Sequence, residues 1–348
     1  MTKPGSSRSK LEDALEKYPR VVLGQSPTPL EHLRNLSDEL GRPIWIKRDD
    51  CFGLPPGGNK YRTLEFLLGE ALKGGFRRVV TFGAMQSNHA RMTAAAGRRL
   101  GLETDIFCFE RRPDKMRGNM ALNRLYGAKI HFVPLGGGGG MRLETANRLV
   151  RWLSRLMVGS GYFIPAGGHS WLGCAGYAAA ARETDQQARE RGIEDALLAL
   201  AVGTGGTLAG LMVGLKAENS RLDLLGIDVG KLWRSFPESI SRVANGLGSR
   251  LELTHRFTPP NVPILEGTYV GERYGLPSEA GKAAQKRLAR MEGILLDPVY
   301  SAKAFAGLLD LIERSALQAN QPVIFLHTGG LPGIFAFNHV AWDKGSKI

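Results

Sequence analysis

The chain has 348 residues, of which 43% are hydrophobic and 23% are charged, and its formal net charge is +13. These values are ordinary for a soluble globular protein with one large domain or two moderate ones. The three cysteines lie far apart and outside any CxxC pattern, which argues against a disulfide framework and a clustered metal site. We therefore expect a reducing compartment, the cytoplasm.

The positive charge is scattered through predicted helices and forms no aromatic-interleaved patch. We expect no nucleic-acid partner, and we interpret the charge as a source of solubility with a mild attraction for anions. Residues 1–10 have no apolar core, so we expect a loose tail there and no signal peptide. The uncharged run 196–215 is long enough to span a membrane, but its central glycines favour a buried strand, a loop and a helix. We expect no membrane partner.

Strand-like and helix-like stretches alternate along almost the whole chain. Predicted strands lie at 44–48, 78–82, 104–109, 129–133, 197–202, 224–229, 294–296 and 323–326, and predicted helices at 88–100, 118–126 and from the glycine run to about 156. This alternation predicts parallel sheets covered by helices on both faces, with ligands beyond the carboxyl ends of the strands. We expect a flexible loop at the glycine run 136–140 and a domain boundary at 165–170.

The first candidate motif, Gly57-Gly58-Asn59-Lys60, lies between a predicted strand and a predicted helix. Asn59 suits a helix N-cap and Lys60 falls at the first helical position, where the helix dipole disfavours an ammonium. A neutral or carbonyl-bonded amine suits this position better. The motif therefore indicates a Schiff-base lysine, which pyridoxal phosphate requires, with a surface lysine as the alternative.

The second candidate motif is Gly203-Thr204-Gly205-Gly206-Thr207, between a buried strand and a helix. Exposed backbone N–H groups, the helix N-terminus and two hydroxyls favour a phosphate-binding loop. It is neither a Walker loop nor a GxGxxG motif, and a tight turn with packing glycines is the alternative.

The third candidate motif is Gln86-Ser87-Asn88-His89, after a predicted strand. Ser87 and Asn88 suit the start of a helix, which capping alone explains. The functional interpretation is that this segment binds a substrate carboxylate and that Asn88 bonds the 3-hydroxyl of the cofactor. His89 alone is more typical of a supporting or surface residue than of an acid–base group.

Three further segments complete the candidate site. Asp297-Pro298-Val299-Tyr300 places a phenol where a predicted strand turns into a helix. His327-Thr328-Gly329-Gly330 offers a hydroxyl and close backbone approach at another strand end. A loop with Tyr274 can bring in a second phenol. Each phenol can stack on a ring or transfer a proton, or it can simply belong to the core.

Together these motifs resemble the family of pyridoxal-phosphate enzymes that contains D-cysteine desulfhydrase, L-cysteate sulfo-lyase and 1-aminocyclopropane-1-carboxylate deaminase. The resemblance runs from about Ser26 to Phe337 and includes Lys47-Arg48-Asp49-Asp50. It implies an α/β fold of the tryptophan-synthase-β-like type (fold type II), with two open, twisted, mostly parallel sheets and helices on both faces. It also implies a homodimer, with a larger domain at 1–62 plus 171–348 and a smaller domain at 63–170.

The resemblance also implies residue roles. Lys60 is the lysine that attaches to pyridoxal 5'-phosphate. Cofactor-binding roles fall to Asn59, Asn88, Gly203, Thr204, Gly205, Gly206, Thr207, Ser301 and Thr328. Catalytic roles fall to Lys60, Ser87, Tyr274 and Tyr300. Substrate-binding roles fall to Ser87, Asn88, His89, Tyr274 and Tyr300.

Two departures from the family pattern bear on the reaction. The family often has lysine where this chain has Thr63, so a phosphate contact there falls to a hydroxyl or is lost. The deaminases have glutamate where this chain has Ser301. A hydroxyl from Ser301 or Thr328 leaves the pyridine nitrogen neutral and the ring a milder electron sink, which suits β-elimination better than cyclopropane opening.

We therefore expect β-elimination of a three-carbon amino acid. D-cysteine, giving pyruvate, ammonia and hydrogen sulfide, is the first choice; L-cysteate, giving sulfite, is the second; the cyclopropane acid is the third. The base that removes the α-proton is open among Lys60, Ser87 and a tyrosine. A catalytically silent cofactor-binding protein is the alternative from another class.

Overall fold

A computed structural model describes residues 9–133 and 140–337. Within these residues ten strands form two sheets. The strands are β1 Leu30–His32, β2 Ile44–Lys47, β3 Arg78–Phe82, β4 Glu103–Cys108, β5 Lys129–Phe132, β6 Tyr162–Phe163, β7 Leu197–Val202, β8 Asp223–Asp228, β9 Ile264–Leu265 and β10 Val323–Leu326. The larger sheet has the order β1-β2-β10-β7-β8-β9 and the smaller sheet the order β5-β4-β3-β6.

Almost every strand pair is parallel. β10 lies between β2 and β7, so Val323 pairs with Ile44 on one side and with Leu197 on the other. The exception is β1, which pairs with β2 in the antiparallel sense at the edge of the larger sheet. All strands of the smaller sheet are parallel. The carboxyl ends of the strands therefore meet at one edge of each sheet, and loops at that edge can form a shared site.

Eleven α-helices connect the strands of the described residues. They are α1 Lys10–Glu16, α2 Arg34–Leu40, α3 Lys60–Lys73, α4 Asn88–Arg99, α5 Gly118–Leu125, α6 Leu143–Val158, α7 Trp171–Glu190, α8 Gly206–Ala217, α9 Phe236–Arg250, α10 Glu279–Glu292 and α11 Ser301–Glu313. Short 3-10 turns lie at Asp49–Cys51, Ala166–Gly168, Pro259–Asn261 and Leu331–Ala336.

Helices cover both faces of the larger sheet. Side chains of β7 alternate between two cores, since Leu198, Leu200 and Val202 belong to the core with α3, α7 and α8. Leu197 and Ala199 belong to the core with α10 and α11. A strand buried on both faces has no polar side to expose, which explains its continuous apolar sequence. The predicted α/β fold with mostly parallel sheets is confirmed.

Several predicted elements match the structure closely. The predicted strands at 78–82, 197–202 and 323–326 coincide with β3, β7 and β10. The uncharged run 196–215 forms β7, a glycine turn and most of α8, as expected. Among the described residues, none of the helices combines the length and the hydropathy needed to cross a bilayer.

The strand predicted at 294–296 is wrong. The segment connects α10 to α11 without joining either sheet. The carbonyl of Leu296 accepts from the side chain of Gln285, and that of Leu295 lies 3.0 Å from His327 Nε2. Side chains satisfy these backbone acceptors, so the segment needs no neighbouring strand despite its apolar sequence.

Other expectations fall near or beyond the described residues. The loose tail expected at 1–10 is wrong for its last two residues, since Ser9 caps α1 and Lys10 opens it. The glycine run 136–140 lies outside the described residues, apart from Gly140. All strands of the smaller sheet fall within 63–170 and all others outside it. The domain division itself stays a prediction.

A buried ionic cluster fixes the first turn of α3. The Arg62 guanidinium donates to Asp49 at 2.8 Å and to Glu183 at 2.9 Å, and Glu183 also pairs with Lys47. The hydroxyl of Tyr177 donates to Asp49 at 2.6 Å. Burial alone raises the pKa of Asp49, but the nearby Arg62 outweighs it and holds that pKa at about 2. The cluster joins β2, α3 and α7 directly behind Lys60.

We expect Arg62→Met to lower the free energy of unfolding by about 3–5 kcal/mol, because it leaves two buried carboxylates without their shared partner. Arg314→Met is the matched control: Arg314 pairs with Asp310 at the exposed C-terminal end of α11, and the two side chains are 60% and 42% exposed. Its loss should cost less than about 1 kcal/mol. Urea denaturation followed by circular dichroism measures both, and equal losses in the two variants would contradict this account.

Candidate functional site

A cavity of about 960 Å³ lies where the strand ends of the two sheets face each other. Its walls include Phe82 and Gly83 at the end of β3, Gly203 after β7 and Thr328 after β10. Because these positions are carboxyl ends of parallel strands, the cavity is the place where an α/β fold binds its ligand. Nearly all of the predicted site residues line it: Asn59, Lys60, Ser87, Asn88, His89, Gly203, Thr204, Gly205, Gly206, Thr207, Tyr274, Tyr300 and Thr328.

Lys60 opens helix α3 and lines the cavity. Its Nζ atom donates a long hydrogen bond of 3.3 Å to the carbonyl of Gly167, and no described carboxylate pairs with it. Burial lowers the pKa of Lys60 to about 8, because the ammonium loses water without gaining an anion. The amine is therefore easily made neutral, as a nucleophile toward an aldehyde must be.

Asn59 precedes the helix but does not cap it with its side chain. Its Nδ2 atom instead donates to Thr207 Oγ1 at 3.0 Å, and its backbone N–H donates to the carbonyl of Thr328 at 3.1 Å. Asn59 thus connects the lysine segment to the glycine loop and to the end of β10. The expected N-cap has a different function: it fixes three parts of the site relative to one another.

The glycine loop after β7 has the features of a phosphate site. Gly205 has a φ of 80° and leads into α8, so its conformation favours glycine. The Thr204 hydroxyl is buried and has no hydrogen-bond partner among the described residues. Trp233 Nε1 donates to the carbonyl of Gly203 at 3.0 Å and holds the loop in place. An unpartnered hydroxyl beside a helix N-terminus fits the phosphate of the predicted cofactor.

The Gln86–His89 segment joins the end of β3 to α4. Ser87 accepts the backbone N–H of Ala90 at 3.2 Å, so it caps α4 while it lines the cavity. Asn88 accepts a hydrogen bond from Asn119 at 2.7 Å. Capping and ligand binding are therefore compatible here.

His89 is buried and neutral. Thr81 donates its hydroxyl proton to the carbonyl of Ile164, so it accepts from His89 Nε2, which lies 2.9 Å away. The remaining ring nitrogen, Nδ1, is an acceptor without a partner among the described residues. Burial lowers the pKa of His89 to about 3. His89 can accept a hydrogen bond but does not supply a proton near neutral pH.

Two phenols meet at the opposite wall. The hydroxyls of Tyr274 and Tyr300 form a hydrogen bond with each other. Burial raises the pKa of Tyr274 to about 12 and raises the pKa of Tyr300 well above its usual value, so both stay protonated near neutral pH. Lys303, on the first turn of α11, donates to the carbonyls of Val270 at 2.6 Å and Arg273 at 3.3 Å. It thereby holds the loop of Tyr274 against the helix that follows Tyr300.

Ser301 is the one predicted site residue that does not line the cavity. Its hydroxyl donates to the carboxylate of Asp297 at 2.6 Å and accepts the N–H of Asp297 at 2.8 Å. This geometry corrects the expectation that Ser301 contacts the cofactor, because its single donor proton is used within the turn and its side chain does not line the cavity. Of the two hydroxyls weighed for the pyridine nitrogen, only that of Thr328 faces the cavity.

Thr63 also faces away from the cavity. A Cβ atom built on Gly168 would lie 2.2 Å from Thr63 Cγ2, and one on Gly173 would lie 2.9 Å from the same methyl. The threonine therefore packs against glycines at the meeting of α3 and α7. The phosphate contact considered for its hydroxyl is lost.

Sequence reasoning missed several residues of the site, and three of them bear on its shape. Trp233 and Glu110 line the cavity, and Asn119 lies behind Asn88. Glu110 accepts the N–H of Met85 at 2.8 Å and so shapes the turn before Ser87. None of the three belongs to a recognisable motif, since each reaches the site through tertiary contacts. The sequence indicates two of them only by their position, because Glu110 follows a predicted strand and Asn119 lies at the start of a predicted helix.

Comparison with known proteins supports the same chemistry. D-cysteine desulfhydrase of Serratia proteamaculans is 36% identical over 338 residues, which cover 94% of this chain and 98% of the relative. D-cysteine desulfhydrase of Klebsiella pneumoniae is 39% identical over 332 residues, with coverages of 93% and 98%. A solved structure described as an ACC deaminase homologue superposes with a TM-score of 0.84 at 33% identity and covers 96% of this chain and 98% of its own.

The family model described as pyridoxal-phosphate dependent enzyme matches residues 21–329. The matched segment contains the strand ends that form the cavity, together with Lys60 and the glycine loop. The chain therefore belongs to the family of pyridoxal-phosphate dependent enzymes.

Proposed function

We propose that the chain is a D-cysteine desulfhydrase, which converts D-cysteine and water to pyruvate, ammonia and hydrogen sulfide. The observation that carries the proposal is the near-full-length identity of 36% and 39% to two enzymes of that name. The geometry supports it, since a lysine amine with a lowered pKa and the hydroxyl-bearing residues Ser87, Tyr274 and Tyr300 line one cavity.

Each wall of the cavity has a part in this proposal. When bound, pyridoxal phosphate would supply an aldehyde for an amine and an electron sink for the α-carbon. The residues that would hold it are Lys60 for the aldehyde, the Gly203–Thr207 loop for the phosphate and Asn88 for the ring hydroxyl. Thr328 would face the pyridine nitrogen with a hydroxyl, which leaves that nitrogen neutral.

Lys60 is our choice for the base that takes the α-proton. Among the candidates, only its amine has a pKa near neutrality, at about 8. The phenols have raised pKa values, and a serine hydroxyl needs a base of its own. Ser87, at the N-terminus of α4, would bind the substrate carboxylate, together with the backbone N–H groups that begin the helix. His89 would accept a hydrogen bond from a donor beside the substrate carboxylate.

Elimination breaks the α-carbon–hydrogen and β-carbon–sulfur bonds. The sulfur leaves with the bonding electron pair, and the unsaturated amine that remains takes up water to give pyruvate and ammonia. Both phenols stay protonated, and one of them donates its proton to the other. The phenol whose proton remains free can donate a hydrogen bond to the departing sulfur.

Deamination of the cyclopropane acid is a second candidate, favoured by the likeness to the solved structure described as an ACC deaminase homologue. Against it stands the residue after Tyr300, which is Ser301 where the deaminases have glutamate. A mild electron sink suits the loss of a good leaving group better than the opening of a carbon ring.

We also propose a cytoplasmic location and a homodimer. The free thiols of Cys51, Cys108 and Cys174 support a reducing compartment. The homodimer rests on the family resemblance alone, and sedimentation of the purified protein tests it.

We expect the purified enzyme with pyridoxal phosphate to release pyruvate and sulfide from D-cysteine faster than from L-cysteine. L-cysteate and the cyclopropane acid are tested beside them, with sulfide, sulfite and keto acid measured. Sulfite from L-cysteate as the main product would identify a sulfo-lyase, and 2-oxobutyrate would identify the deaminase. Cofactor binding without any keto acid would identify a catalytically silent protein.

We expect borohydride reduction of the holoenzyme to leave the cofactor covalently on Lys60, as peptide mapping would detect. Lys60→Ala should lose the label entirely because its amine is the attachment point. Lys231→Ala is the matched control, since Lys231 lines the same cavity, and it should keep the label. Label on Lys231 or on no lysine would refute the assignment of Lys60.

We expect the rate at which the apoenzyme takes up the cofactor covalently to rise about tenfold per pH unit up to about pH 8 and then level off. Burial lowers the pKa of Lys60 to about 8, so the reactive neutral amine predominates above that pH. The growth of the visible absorption band measures the rate. With Nα-acetyl-lysine as control, the rate should rise to about pH 10, and an identical profile for the protein would contradict the lowered pKa.

A further inference from the structure

Asn119 lies behind the cavity, fully buried on the first turn of α5. Its Nδ2 atom donates to Asn88 Oδ1 at 2.7 Å and to the carbonyl of Gln86 at 2.9 Å. Its Oδ1 atom accepts from Arg91 Nε at 3.3 Å, and its backbone N–H donates to the side chain of Gln86 at 3.0 Å. Every polar group of this side chain thus has a partner.

Arg91 sets the direction of these bonds. It is buried, and besides the bond to Asn119 its guanidinium donates to the carbonyls of Pro56 and Gly57, the latter at 3.4 Å. A guanidinium has donors and no acceptor. The atom of Asn119 that faces it must therefore be the oxygen, and the amide nitrogen of Asn119 must face Asn88.

The orientation of the Asn119 amide also determines the orientation of the Asn88 amide. Facing a donor, Asn88 must present its oxygen to Asn119, which leaves its Nδ2 group on the other side. That group lies beside Gly330, in the segment that follows β10, since a Cβ atom built on Gly330 would lie 2.7 Å from it. Asn88 also lines the cavity. An NH₂ group donates hydrogen bonds and accepts none.

We propose that Asn119 is a positioning residue: held by Arg91, it fixes the amide of Asn88 so that a donor, and never an acceptor, faces the cofactor's ring oxygen. The proposal rests on the assignment of Asn88 to that ring oxygen in the proposed function. A donor at this place stabilises the ionised ring oxygen over the protonated one. Arg91 also bonds to the backbone of Pro56 and Gly57, so it fixes the position of Asn88 relative to the segment that leads to Lys60.

Asn119→Asp reverses the arrangement and provides the test. A carboxylate still accepts from Arg91, but it also accepts from Asn88, which must turn its NH₂ group inward and its oxygen toward the cofactor. We expect the pKa of the ring hydroxyl to rise by about one unit or more, since the ionised form loses its donor. At a fixed pH the ratio of visible to near-ultraviolet absorbance of the holoenzyme should fall about tenfold.

Asn123→Asp is the matched control. Asn123 lies one turn later on α5, is equally buried, and its Oδ1 atom has no partner among the described residues. The Asn123→Asp substitution introduces the same negative charge into the same helix, and we expect the holoenzyme of this variant to have a spectrum like that of the wild type. A change of equal size in both variants would show a general effect of charge and overturn the proposal.

Asn119→Asp also removes the donor to the Gln86 carbonyl, so circular dichroism and thermal unfolding accompany the spectra. A folded variant with bound cofactor and the wild-type spectrum would overturn the proposal. If the variant does not fold, a crystal structure of the wild-type holoenzyme decides. It should retain the Asn119–Asn88 hydrogen bond with Asn88 Nδ2 against the ring oxygen, and an Asn88 turned away from Asn119 would refute the proposal.

The spectral test is independent of the substrate. A wild-type holoenzyme that releases no sulfide from D-cysteine would contradict the proposed function and leave the comparison of Asn119→Asp with Asn123→Asp intact. Sulfide release together with an unaltered Asn119→Asp spectrum would support the proposed function and refute the role of Asn119.

Discussion

The lysine amine that opens α3 lies in a cavity wall without a described carboxylate to balance it. An ammonium in this place has lost water and faces the positive end of a helix dipole, so the neutral amine is favoured. The chemistry of the whole site depends on this destabilised charge. It explains why the amine can attack an aldehyde and why it is the best candidate for a base near neutral pH.

Such an amine is useful only if it is held in place. The ionic cluster of Lys47, Asp49, Arg62 and Glu183 fixes the first turn of the helix from behind. Asn59 connects the residue before the lysine to the glycine loop and to the end of β10. The charges are thus paired on the side away from the cavity and absent beside the amine. Full pairing stabilises the helix start, while the missing pair keeps the lysine reactive.

The sequence predicted those parts of the fold that depend on local pattern. Buried strands such as β7 and β10 are continuous apolar runs, and nearly all of the site residues predicted from the motifs line the cavity. The edge strands β1, β6 and β9 have only two or three residues and show no periodicity. The apolar run at 294–296 resembles a strand, yet side chains satisfy its backbone, which a single sequence does not reveal.

The sequence also did not reveal the direction in which some polar side chains point. Ser301 follows Tyr300 in the motif, but its hydroxyl turns into the first turn of α11 and bonds to Asp297. Asn119 belongs to no motif, although it determines which atom of Asn88 faces the cavity. The first fact follows from hydrogen bonds within one turn, and the second from hydrogen bonds between α4 and α5. Motifs identify residue types at strand ends, and packing decides where their polar atoms point.

The strand order also has a consequence for biosynthesis. The smaller sheet is built from one continuous stretch, so it can form while the ribosome is still extending the chain. The larger sheet cannot, because β2 borders β10, which is translated near the end. The backbone bond from Asn59 to Thr328 has the same dependence. Lys60 is therefore translated long before the residues that complete its surroundings. The chain can capture the cofactor only when translation is almost finished.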